Sequence, residues 1–244
     1  MKFSVLTLFP EFFAVLDNYS IVGRAIKEGK ISLETINIRD FSNNKHGQVD
    51  DYSYGGGPGM VMMAPPIKRA IDFCKKETSH IIYISAQGST LSQKKLVELS
   101  KKDHIILLNG HYEGIDNRII ENYIDEEISI GDYILTGSEI PSMVVIDGIS
   151  RLIDGVLSSS ENYTNESFYN GWLEYPQYTR PKTFDGIDVP DILLSGNHKK
   201  IDEYRKYESI KNTLIKRPDL IDKIELTKDE LNILNRIIAE RGKS

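Results

Sequence analysis

Cysteine is almost missing from this chain: one residue of 244, Cys74, so no disulfide framework can form within it. Long apolar runs are missing too. No stretch reaches the roughly 18 uncharged apolar residues that a membrane-crossing helix needs. The opening MKFSVLTLF has the hydrophobicity of a secretory leader, but Pro10 and Glu11 interrupt it and no small-residue cleavage site follows. It reads as a first strand, and the expected location is the cytoplasm. The Asn-X-Ser/Thr triplets at Asn18, Asn162 and Asn165 then meet no glycosylating machinery. Basic charge is in short supply: 30 Lys and Arg face 36 Asp and Glu, a formal net charge of −6, which argues against non-specific coating of nucleic acid. From Asp103 to Ser150 there is no lysine, and Arg118 is the one arginine. Basic residues return beyond His198, with Lys199, Lys200, Arg205, Lys206, Lys211, Lys216 and Arg217. They form either a basic face or, the reading we favour, a solvated helix surface laced with ion pairs.

What is present is an alternation of short apolar runs with helical periodicity. Residues 3–9, 31–38, 80–85, 104–108 and 143–146 read as strands, and residues 10–16, 66–76 and 92–101 as helices, the last capped by Ser92. The pattern predicts an α/β protein with a mostly parallel sheet covered on both faces. At SSSENYTNESFYNG the character changes to polar and turn-rich, and from Pro190 onward the pattern is helical. The expected division is residues 1–157, a linker at 158–178 and a helical C-terminal domain at 179–244.

Four segments concentrate glycine: YGGGPGM from Tyr54, YISAQGS from Tyr83, NGHYEGID from Asn109 and ISIGDYILTGSEIP from Ile128. The last three follow or end apolar strands, and ligands of open α/β sheets lie at the carboxyl ends of strands. None of the four reads G-x-x-x-x-G-K-[ST] or G-x-G-x-x-G. Around them stand Glu113, Asp116, Asp125, Glu126, Glu127, Asp132 and Glu139 against Arg118 alone. An acidic crevice repels a triphosphate and suits a neutral or cationic ligand such as S-adenosylmethionine; the alternative is that these carboxylates lie on a solvated outer face. His46 and His111 lack Cys or carboxylate partners at ligand spacing and read as hydrogen-bonding loop residues.

Several long motifs resemble the bacterial tRNA (guanine-N1)-methyltransferase family, of the SPOUT class: LFPEFF, GRAIKEG, RDF, VDDYSYGGGPGM, GHYEGID, SIGDYILTG, EYPQYTRP, LLSGNH and KRPDL, in order along nearly the whole chain. The resemblance implies a deep trefoil knot between residues 85 and 157, an obligate homodimer, and methylation of guanosine 37 of tRNA, next to the anticodon. It implies S-adenosylmethionine bound by Tyr83, Ile84, Ser85, Ala86, Gln87 and Gly88, by Gly110, Tyr112, Glu113 and Gly114, by Ile130, Gly131, Asp132, Tyr133, Ile134 and Leu135, and by Gly137, Ser138 and Pro141. It also implies a Mg²⁺ requirement with no assigned ligands. Arg151 takes the place of the cation facing guanine O6, and Glu166 that of the general base.

This chain departs from the family pattern at several positions. Glu166 stands for the usual aspartate, and Asp154, a second carboxylate near Arg151, for the usual proline. Ala86 replaces a proline, Ser138 a glycine and Gly47 an arginine. Ser138 is expected to occupy a conformation that glycine tolerates more readily. Rival readings are another SPOUT RNA methyltransferase, disfavoured by the C-terminal motifs; a catalytically silent RNA-binding module, raised by Glu166; and a phosphate-loop hydrolase using YGGGPGM, which lacks the needed lysine.

Overall fold

The computed structural model describes residues 1–158, 161–164 and 166–241. Ser159, Ser160 and Asn165, in the polar segment noted above, lie outside the described residues. The chain divides into two compact units, Met1–Ser160 and Glu161–Ser244.

The first unit runs β1 (Lys2–Thr7), a 3-10 turn (Pro10–Phe13), α1 (Ala14–Asn18), α2 (Ser20–Lys27), β2 (Ser32–Asn37), the short pair β3 (Asp50–Asp51) and β4 (Val61–Met62), then α3 (Ala64–Cys74) and β5 (Ser79–Thr90). It continues with α4 (Gln93–Leu99), β6 (His104–Asn109), α5 (Asn117–Tyr123), β7 (Glu126–Ser129) and α6 (Glu139–Ser150). Five strands form one sheet in the order β2-β1-β6-β5-β7, every neighbouring pair parallel. Period-two alternation sends their side chains to two cores. Phe3, Val5, Ile82, Ile84, Ile105 and Leu107 face one, with Val22 of α2, Leu99 of α4 and Val145, Ile146 and Ile149 of α6. Leu6, Ile81, Tyr83, Ile106 and Leu108 face the other, with Ile67, Ala70 and Ile71 of α3 and Ile119 of α5. Both faces are therefore covered, as the alternation of elements predicted.

Two elements differ from the expectation. Residues 143–146 are helix, not strand: a run of four apolar residues fits either, and α6 takes them because Val145 and Ile146 join the core while Val144 stays on the outside. Pro141 sits in the first turn of α6, where a missing N–H costs nothing. The edge strand β7 escapes a reading of the sequence because two of its four residues are glutamates. Glu126 spends its charge on Lys95 and His80, and only Ile128 and Ser129 are buried.

The second unit contains a one-turn helix α7 (Glu161–Thr164), a hairpin of β8 (Thr183–Phe184) and β9 (Ile187–Asp188), then α8 (His198–Lys216) and α9 (Lys228–Arg241). Trp172, Ile210, Leu234 and Ile237 form its core. Trp172 comes from the segment read as linker, and its indole N–H donates to the carboxylate of Glu230 at 2.9 Å. Burial opposes ionisation of Glu230, but donors from Lys206, Thr227 and Trp172 outweigh it and pull the carboxyl down to about 2. Two basic residues of α8 are ion-paired along the helix, Arg205 with Asp202 and Lys211 with Glu208, and Lys206 reaches Glu230 of α9.

Candidate active site

The carboxyl ends of β5, β6 and β7 open into a cavity of about 320 Å³. Its first wall is Tyr83, Ile84, Ser85, Ala86 and Gln87, within β5 where its ladder with β7 breaks between Ile84 and Ser89. The second is Gly110, His111, Tyr112, Glu113 and Gly114 after β6. The third runs from Ser129 through Ile130, Gly131, Tyr133, Ile134, Leu135, Thr136, Gly137 and Ser138 to Pro141. Of the residues singled out from sequence, Gly88 and Asp132 do not line it. Gly88 serves the sheet instead. A Cβ there would lie 2.4 Å from the Ile128 backbone nitrogen, so glycine lets β5 pass against β7 where the ladder shifts register between Ile84 and Ser89. Ser129 and Thr136 line the cavity without having been singled out, and His111, read as a hydrogen-bonding loop residue, lines it too. They sit inside the same motifs, and their hydroxyl and imidazole groups beside glycines were the available signal.

Ser138 holds two walls together. Its single hydroxyl proton is shared between the carbonyl of Ile84, 3.0 Å away, and that of Gly110, 3.3 Å away. Its φ of −96° and ψ of 1° are ordinary for any residue, so the expected need for a glycine-like backbone is corrected. Gly110 is required for space. A Cβ there would lie 2.8 Å from the Tyr83 hydroxyl, whose ring closes the inner end of the cavity. Burial, reinforced by the negative charge of Glu127, pushes the Tyr83 phenol up to about 12, so it stays protonated at neutral pH. Ser85 accepts a hydrogen bond from the Gln87 backbone N–H at 3.0 Å, which gives the loop around Ala86 a constraint of its own.

Beneath the third wall, Glu139 is 3% exposed. The hydroxyl of Thr7 donates to it at 2.7 Å, and His111 Nε2 lies 2.7 Å and 2.9 Å from its two carboxylate oxygens. Burial opposes its ionisation, yet these partners prevail and hold the carboxyl below its usual range. The His111 ring is flanked edge-on by Phe9, with centroids 4.9 Å apart. Tyr112 occupies the left-handed region at φ 58°, a strained conformation that turns its half-exposed ring along the cavity wall.

The YGGGPGM segment is no phosphate cradle. It lies along the second wall: the Glu113 backbone N–H donates to Met60 O at 3.0 Å, Met62 N–H donates to Gly114 O at 2.9 Å, and a Cβ on Gly59 would strike the Glu113 carboxyl at 2.5 Å. The acidity expected of the crevice is mostly elsewhere. Asp116 pairs with Arg118, Asp125 and Glu126 with His80, and Glu126 also with Lys95. Glu113 is the one carboxylate among the described lining residues, and no lysine or arginine lines the cavity. A cavity of this size, walled by apolar side chains, close-packed glycine loops and hydroxyls, fits an adenosine with a short zwitterionic chain and does not fit a triphosphate.

Arg151 closes α6 in the first unit, and Glu166 lies in the second, where it lines a separate cavity of about 290 Å³ with Asn170, Trp172 and Lys206. Asp154 is exposed in the turn after α6. Gly47 adopts φ 63°, a left-handed turn that an arginine would occupy only under strain. Among the described residues no group of three or more His, Cys, Asp or Glu side chains is placed to hold a metal ion.

A wholly parallel sheet with a cavity of this size beside the carboxyl ends of its strands defines an α/β protein with a pocket where small organic molecules are held in such folds. The profile of the family described as tRNA (Guanine-1)-methyltransferase TrmD matches residues 1–223. The chain is 54% identical to the tRNA (guanine-N(1)-)-methyltransferase of Ruminiclostridium cellulolyticum, over 92% of this chain and 97% of that protein. It is 53% identical to that of Caldanaerobacter subterraneus subsp. tengcongensis over 99% of both, and 47% identical to that of Shewanella sediminis over 98% of this chain and 100% of that protein. The chain belongs to the tRNA (guanine-1)-methyltransferase family.

Proposed function

We propose that this protein transfers a methyl group from S-adenosylmethionine to N1 of the guanine at position 37 of tRNA, working as a cytoplasmic homodimer with a knotted N-terminal domain and a tRNA-binding C-terminal domain. The observation that carries the reading is the three-walled cavity free of lysine and arginine, in a chain that matches the family over most of its length. The family name and those of the relatives support the reaction. The match to the family over residues 1–223 supports the threading of residues 85–157 as a knot. No described helix is long and apolar enough to cross a membrane.

When bound, S-adenosylmethionine supplies an electrophilic methyl on a sulfonium. The glycine loops would hold adenosine by close backbone approach, with Ser138 fixing the distance between two of them. Guanine N1 has a pKa of about 9 and is a poor nucleophile until a base takes its proton. Glu166 is assigned that role, and Arg151 the stabilisation of the charge that develops on O6. The described residues do not assemble a Mg²⁺ site. Calorimetry tests the cavity, and binding of S-adenosylmethionine or S-adenosylhomocysteine with none of ATP is expected. Tight ATP binding with no response to S-adenosylmethionine would refute the reading.

A further inference from the structure

The second unit carries a cleft of about 450 Å³ that no part of the methyl-transfer reading uses. Its floor is aliphatic, with Val189, Leu193 and the nearly buried Ile201. Tyr175 and Tyr178 line it, together with the three cations Arg180, Lys182 and Arg205, and no carboxylate lines it among the described residues. Such a concentration of positive charge runs against a chain whose formal net charge is −6. Arg205 stacks over the Tyr175 ring at 4.9 Å and pairs with Asp202 at 3.8 Å, while its Nε is buried with no hydrogen-bond partner. Arg180 is exposed and makes no ion pair among the described residues; Lys182 reaches Asp191 only at 3.6 Å. Tyr178 is 47% exposed, so its ring is open to a stacking partner.

We propose that this cleft seats one nucleotide of the RNA substrate, its base against Tyr178 and the aliphatic floor and its phosphate on Arg180 and Lys182. The inference rests on the tRNA reading above. Aromatic faces accept any base, and cations beside them fix the backbone, a combination that recurs in proteins that hold single-stranded nucleic acid. A cleft of this size is large enough for one small organic ligand. An acidic peptide would satisfy the cations but would leave the exposed tyrosine face and apolar floor unused.

The test is binding of a tRNA transcript to the full chain between 50 and 200 mM KCl, with methyl transfer measured separately. Tyr178→Ala should weaken binding by roughly 5- to 150-fold, and Tyr178→Phe, which keeps the ring and loses only the hydroxyl, should bind within about twofold of the parent. Arg180→Ala should flatten the plot of log affinity against log salt by about one phosphate contact. Affinity for S-adenosylmethionine and kcat at saturating tRNA should not move. Parent-like affinity and salt slope in both Tyr178→Ala and Arg180→Ala would overturn the proposal. So would displacement of the tRNA from the parent, but not from Arg180→Ala, by an oligoglutamate peptide at matching affinity. Because RNA binding is read without reference to methylation, a parent that binds tRNA through this cleft but forms no N1-methylguanosine would refute the functional reading and leave the cleft standing.

Discussion

Single side chains in this protein act mostly by tying loops together. Ser138 bonds the carbonyls of Ile84 within β5 and of Gly110 in the loop after β6, so Ser138→Ala frees two walls of the cavity at once. Loss of a net hydrogen bond is worth about 1 kcal/mol, which should appear as a lower denaturation midpoint and a several-fold weaker S-adenosylmethionine affinity. Glu139 does the same through charge. Its carboxyl is depressed in the folded state, so its stabilising contribution is complete above the pKa of an unfolded carboxyl and fades as pH falls through the folded value. In Glu139→Gln that part of the acid-side loss should be absent from unfolding curves measured between pH 7 and 3, because the variant carries no proton-linked carboxylate there. Glu166→Gln should lower single-turnover methyl transfer by roughly 10²–10⁴ while cofactor affinity holds, since the base proposed here acts only on the guanine proton. If Asp154→Asn loses the reaction and Glu166→Gln does not, Asp154 is the base.

Among the elements, the close pass of β5 against β7 is the most constrained. Gly88→Ala would set a methyl group on the backbone of Ile128, a contact that no side-chain rotation relieves, and should destabilise the fold by about 1–3 kcal/mol or more in chemical denaturation. The buried strands β1, β5 and β6 were legible because their apolar runs have strand length and turn residues at their ends. The register of β5 with β7 was not legible, since β7 hides behind two glutamates, and the partners of Glu126, Lys95 and His80, lie on other elements. Residues 143–146 show the reverse error: β-branched residues packed on one side of a helix look like a strand until the buried and exposed positions are known. The cavity loops were legible as glycine motifs, but the bonds of Ser138, the His111–Glu139 pair and the dispersal of the acidic residues depend on which strand ends meet, and that is a property of the sheet order.

The whole molecule is proposed to act as a pair. If each active site combines Arg151 of one subunit with Glu166 of the other, then Arg151→Ala and Glu166→Ala proteins, each inactive alone, should recover activity when mixed and allowed to exchange subunits, because a hybrid dimer keeps one intact site. No recovery after demonstrated exchange would place both residues in a site built within one chain. The central claim is the destination of the methyl group. The measurement is to incubate the protein with isotope-labelled S-adenosylmethionine and a tRNA transcript bearing guanosine at 36 and 37, digest the RNA, and locate the label by mass spectrometry. One methyl on N1 of guanosine 37, absent from a transcript with adenosine there, is the predicted result. Label on another atom or another nucleotide, or none at all from a protein that binds both substrates, would contradict it.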